Sequence, residues 1–107
     1  MQSIKKKLIR AINRSQAAYS LYISDKRYYQ ALRIKHANEK VYALLEAYLY
    51  ECDDKDVETI HQYLFHLDDW FNQFNNLQKE QKDLEAEFVF TRYPDSPGFP
   101  KTILDII

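Results

Sequence analysis

At 107 residues, 46% hydrophobic and 29% charged, the chain is sized for one globular domain and is too apolar to be intrinsically disordered. Its net charge of −1 and pI of about 6.3 argue against a dedicated nucleic-acid binder, and a single Cys excludes both an internal disulfide and a Cys-based zinc site. The basic N-terminus has no apolar region of the secretory-signal kind, and Val41 to Tyr50, interrupted by Glu46, is too short to cross a bilayer, so a reducing, cytoplasmic setting without a membrane role is expected.

The only Gly (Gly98) and all three Pro (Pro94, Pro97, Pro100) fall in the last fourteen residues. Helix interiors exclude both types, at a cost of about 1 kcal/mol for Gly and about 3 kcal/mol for Pro, whereas tight hairpins need them. The expectation is an all-α fold, an antiparallel up-down bundle of three long helices over residues 1–93. Residues 94–107 then form an irregular tail that docks on the bundle or on a partner.

The first helix is predicted from Ser3 to Tyr22. Its stripe is Met1, Ile4, Leu8, Ala11, Ala18 and Tyr22, with Ser15 at the one polar step and Ile12 and Tyr19 widening the face. Ser24-Asp25 offers an N-cap for a second helix, predicted over Lys26 to Glu51. That helix carries the seam Ala31, Ile34, Asn38, Val41, Leu45, Tyr48 and Cys52, broadened by Ala37 and Leu44. Asn38 is a polar residue at a seam position, a device that fixes register at some cost in stability.

Asp53 or Asp54 can cap the third helix, which begins near Lys55 with Asp56 and Glu58 complementing its positive end. Its seam is Val57, Ile60, Leu64, Leu67, Phe71 and Phe74. The phase then slips by one residue at Asn75-Asn76, to Leu77, Gln81, Leu84 and Phe88. Either the helix runs on to residue 89, about 52 Å, or it breaks at the Asn pair and a fourth helix follows. Phe88 to Thr91 also suit a short extended piece. Pro94 to Gly98 is turn chemistry, and Ile103, Leu104, Ile106 and Ile107 make the tail apolar.

No catalytic or cofactor signature stands out. Glu58 and His61 have the local spacing of a di-iron carboxylate bundle, but the second copy that such a site needs is missing. Cys52 sits among Glu51, Asp53 and Asp54, which disfavour a thiolate. No metal, cofactor or enzymatic activity is expected.

Two surface chemistries remain. Residues 1–50 carry ten Lys/Arg against three Asp/Glu, and residues 51–107 carry five against thirteen. Tyr63, His66 and Trp70 form a second stripe beside the third helix's seam, and with Asp68 and Asp69 they are the partner-binding candidates. The leading expectation is a non-enzymatic protein-binding module of the regulator, inhibitor, immunity or chaperone-like kind. It would act by surface complementarity on another protein, a basic one by charge. Pairing of positive and negative halves between copies would give a homo-oligomer. The alternative is nucleic-acid binding through Lys7, Arg10, Arg14, Lys26 and Arg27.

Overall fold

The computed structural model describes residues 3–81 and 83–89. Within them lie three α-helices of nearly equal length: α1 (Ile4–Ser24), α2 (Tyr28–Leu49) and α3 (Val57–Gln78). At 1.5 Å per residue each is about 32–33 Å long. α1 and α2 pack closely along their lengths, and α3 closes the bundle, as expected of an all-α up-down fold.

The predicted seams are largely the buried faces, but Tyr19, expected to widen the α1 face, is 48% exposed, and Met1 lies outside the described residues. Leu8, Ala11 and Ile12 of α1 meet Val41, Leu45 and Tyr48 of α2 and Ile60, Tyr63, Leu64 and Leu67 of α3 in one apolar cluster. A second cluster, at the other end, joins Tyr22, Tyr28, Ala31, Ile34, Phe74 and Phe88. Early α1 therefore packs on late α2 and early α3, the arrangement of successive antiparallel helices. Between the two clusters, Ser15 Oγ donates to Asn38 Oδ1 at 2.5 Å, and both residues are buried. The two polar seam positions satisfy one another. A slip of one turn would leave both unpaired in the core, at about 1–3 kcal/mol for each stranded group.

The helix ends differ from expectation in three places. Ser3 caps α1 by accepting from the Lys6 amide at 3.3 Å, and α1 runs to Ser24. Neither Ser24 nor Asp25 caps α2, whose N-cap position is Arg27 and which has no side-chain cap. Asp25 instead accepts from Arg27 Nε at 3.0 Å and from the Tyr29 hydroxyl at 3.2 Å. A 3-10 turn (Asp54–Asp56) precedes α3, and neither its own N-cap, Asp53, nor the N-cap of α3, Asp56, makes a side-chain cap hydrogen bond. The acidic residues there act on the helix dipole without a cap bond.

The third helix neither breaks at Asn75-Asn76 nor runs on to residue 89. It passes through the Asn pair and ends at Gln78, and no fourth helix follows among the described residues. The chain turns back: Gln81 Oε1 accepts from the Asp83 amide at 3.1 Å and Asp83 Oδ1 from the Glu85 amide at 3.0 Å. These side-chain-to-backbone bonds offer the amides a local alternative to the helix ladder. The phase-slipped seam is therefore not a helix face. Leu84 is 52% exposed, while Phe88 is 3% exposed and fills the second cluster, its ring stacked on Tyr28 at 5.1 Å.

The returning segment supplies what α2 lacks. The Tyr28 amide donates to the Ala86 carbonyl at 2.9 Å, the Tyr29 amide to the Leu84 carbonyl at 3.0 Å, and the Phe88 amide to the Lys26 carbonyl at 2.9 Å. Arg27 and Glu87 form an antiparallel bridge. The Tyr22 hydroxyl donates to the Phe88 carbonyl at 2.5 Å, and Arg27 Nη1 donates to the Glu85 carbonyl at 2.6 Å. Two orphan amides of the α2 first turn are thus capped by backbone from the far end of the chain. The short extended piece expected over Phe88 to Thr91 does not form the bridge, which lies one residue earlier, at Glu87. No strand is formed at residues 88 and 89, and residues 90–107, with the docking of the tail, lie outside the described residues.

Truncating the Phe88 ring should cost about 3–5 kcal/mol, the range for a buried aromatic cut to Ala. Urea unfolding of Phe88→Ala checks it, with Leu84→Ala as the exposed control, expected within about 1 kcal/mol of the parent.

Candidate functional site

The partner-binding candidates on α3 do not form one surface. Tyr63 is 1% exposed and belongs to the first core cluster, which corrects its reading as an accessible anchor. The reason is geometric: Tyr63 lies only about 40° from Leu67 around the helix, inside the arc that α1 and α2 cover. His66 packs edge-on to Tyr63 at 6.1 Å, and Trp70 stacks on Phe74 at 5.3 Å, half-buried against the second cluster. Asp68 is two residues from both and therefore diverges from them by about 160°. Asp69 points elsewhere again and accepts from Gln73 Nε2 at 2.8 Å.

The basic candidates are split as well. Lys7, Arg10 and Arg14 are exposed on α1, in a stripe about 10 Å long. Lys26 and Arg27 lie beyond the C-terminal end of α1, at least about 15 Å further along the axis. Arg27 is engaged by Asp25 at 3.0 Å and Glu85 at 3.9 Å, so its charge is largely neutralised where it stands. Its guanidinium is held even more firmly protonated than usual, first by the hydrogen bond to Asp25.

What Asp68 does join is a groove between α2 and α3 with a volume of about 470 Å³. Its aliphatic lining residues are Leu64, buried, and Leu49, half-buried. Its rim carries two exposed rings, Tyr50 at 94% and Phe65 at 61% exposure. Tyr42 and Glu46 from α2 and His61 and Asp68 from α3 complete it. The spacing 42, 46, 49 on one helix and 61, 64, 65, 68 on the other is the i, i+3, i+4, i+7 pattern that places residues on one flank. The Tyr42 ring rests edge-on against Phe71 at 6.2 Å, and its hydroxyl donates to the Asp68 carboxylate. Burial, the Asp68 charge and that hydrogen bond, with a smaller contribution from Glu46, raise the Tyr42 phenol above its ordinary value. No ion pair joins Glu46 or Asp68 to a cation among the described residues.

Of this groove's residues, only Asp68 is among the partner-binding candidates read from the sequence, and His61 enters there only beside Glu58 as a metal spacing. Tyr50 and Phe65 were legible as off-seam aromatics, but their meeting across two helices depends on how α2 and α3 are rotated. Among the described residues there is no group of three or more His, Cys, Asp or Glu placed to hold a metal ion, and no helix long and apolar enough to cross a membrane. Glu58 and His61 are both exposed, and the His61 ring lies near Phe65 at 6.4 Å. The half-buried Cys52 thiol is raised above its ordinary value, by burial first and then by Asp56, which lowers its reactivity. No protein-family model, curated protein or solved structure matches this chain.

Burial also pushes the Tyr63 phenol well above the usual 10. The folded state keeps this proton where the unfolded chain, titrating near pH 10, gives it up. Stability tied to Tyr63 is therefore intact below about pH 10 and lost as the pH climbs past it. Urea midpoints followed between about pH 9 and 11.5 should fall for the parent chain and fall less steeply for Tyr63→Phe.

Proposed function

We propose that this chain is a small non-enzymatic protein-binding module whose working surface is the α2–α3 groove. One observation supports the reading above the others: two exposed aromatic rings, Tyr50 and Phe65, stand beside the apolar Leu49 and Leu64 and beside two carboxylates, Glu46 and Asp68, that pair with no cation among the described residues. Large exposed rings beside a shallow apolar surface are the material of interface anchors, and carboxylates at the edge select and orient a partner by charge. A regulatory role, carried out by occupying another protein's surface, follows from that chemistry. A cytoplasmic location accompanies it, on the strength of the single, poorly reactive Cys52.

The stripe Lys7, Arg10 and Arg14 supports the nucleic-acid alternative, but it is short and lacks the aromatic interleaving of single-strand binders. The two readings separate in one experiment. Immobilised chain is exposed to lysate of its source cells at low and at physiological salt, alongside Phe65→Ser, Asp68→Lys, Asp69→Lys and the triple Lys7→Glu, Arg10→Glu, Arg14→Glu. A protein retained by the parent should be lost with Phe65→Ser and Asp68→Lys and kept by Asp69→Lys and by the triple variant, all with unchanged helicity by circular dichroism. Retention of RNA or DNA that only the triple variant abolishes would contradict the groove reading.

A further inference from the structure

The groove's own chemistry narrows what it accepts. Two carboxylates line it, Glu46 on α2 and Asp68 on α3, and none of the described residues lining it is Lys or Arg. The Tyr42 hydroxyl occupies one acceptor position of Asp68, which leaves further lone pairs of that carboxylate for a second donor. The Tyr42 phenol beside it limits how that carboxylate turns, which lowers the ordering cost of a second donor. The cation of α2 on the same flank, Lys35, lies two turns away, and its ammonium rests over the Phe74 ring at 5.5 Å. At its Tyr50 end the groove adjoins the α2–α3 connection, where Glu51, Asp53 and Asp54 are exposed alongside the single cation Lys55. The exposed faces of Tyr50 and Phe65 present the negative side of their ring quadrupoles, which attracts cations as well as apolar groups.

We propose, building on the protein-binding reading above, that the α2–α3 groove is a seat for a cationic side chain. The occupant is a segment of another protein in which Arg or Lys is flanked by aliphatic or aromatic residues. The cation sits between Asp68 and Glu46 and under the Tyr50 or Phe65 ring. The neighbouring apolar side chain lies on Leu49 and Leu64. Tyr42 is a positioning residue: it contacts Asp68 and sets its orientation. Such a site prefers guanidinium to ammonium, because the planar fork can bond a carboxylate while stacking on a ring.

The test is selection of a displayed library of random twelve-residue peptides against the full chain, followed by binding of the synthesised consensus by fluorescence anisotropy. Selected peptides should be enriched in Arg or Lys next to Leu, Ile or an aromatic residue. Affinity for the consensus should fall about tenfold in Glu46→Gln/Asp68→Asn, the effect of losing two charge-assisted contacts. It should fall several-fold in Tyr42→Phe, be abolished in Phe65→Ser, stay unchanged in Lys7→Glu/Arg10→Glu, and weaken as salt is raised. Substituting Lys for Arg in the peptide should weaken binding.

Peptides that require Phe65 but carry no cation, or that ignore the Glu46/Asp68 substitutions, would overturn the cation seat and leave the protein-binding reading standing. If no selected peptide depends on Phe65, both fall. Light scattering that shows a dimer dissolved by Asp68→Asn would assign the groove to a second copy of this chain, whose own α1 carries the required cations, and would overturn a foreign occupant.

Discussion

The structure depends on a clasp at one end of the bundle. Every α-helix begins with amides that its own ladder cannot use, and α2 starts from Arg27, which offers no side-chain acceptor. The missing acceptors are the carbonyls of Leu84 and Ala86, delivered by the chain after it leaves α3. The same segment delivers Phe88 to the core, where it packs on Tyr28 at 5.1 Å and Phe74 at 5.4 Å. Capping, hydrophobic burial and the Tyr22 hydroxyl bond to the Phe88 carbonyl are thus satisfied by one stretch of backbone. The α1–α2 turn, the end of α3 and the returning segment become a single knot.

The middle of the bundle is set by a different device. Ser15 and Asn38 bond each other between the two apolar clusters, so the core reads as two hydrophobic compartments separated by a polar rung. Hydrophobic seams alone tolerate sliding by a turn, because one aliphatic contact resembles the next. A mutually satisfied polar pair does not, because every other register strands both groups. Clasp and rung hold α1 and α2 in one alignment. α3, packed less extensively on α2, leaves the open flank on which Tyr42, Asp68 and the exposed rings meet.

Much of this was legible from the residues. The near-absence of Gly and Pro gave the helices, and heptad spacing picked out Leu8, Ala11, Ile34, Val41, Leu45, Ile60 and Leu67, all of them buried. Asn38 could be read as a register device, although its partner Ser15 was visible only as a gap in another stripe. The clasp was not legible, because a cap supplied by backbone carbonyls leaves no residue-type signature at the helix it serves. Phe88 continued a plausible helical phase, and the local bonds of Gln81 and Asp83 take the chain out of it before the bonds to the α1–α2 turn hold Phe88 inward. Tyr63 was misplaced for a related reason. A residue about 40° off the seam is core or rim depending on which neighbour covers that side, and the one-dimensional pattern of a single helix does not hold that information. The groove is a property of two helices at once and so escaped any reading taken one helix at a time.

Because the clasp organises the molecule, it is best tested at its two hydrogen bonds. First-turn amides of a helix without a cap exchange with solvent at nearly unfolded rates, so amide hydrogen exchange followed residue by residue by NMR reads the clasp directly. Tyr28 and Tyr29 should exchange slowly, close to the amides of Ile34 and Val41 in the core, and should lose that protection in Phe88→Ala while Leu8 and Ile12 keep theirs. Fast exchange at Tyr28 and Tyr29 in the parent chain, or protection that survives Phe88→Ala, would contradict the account.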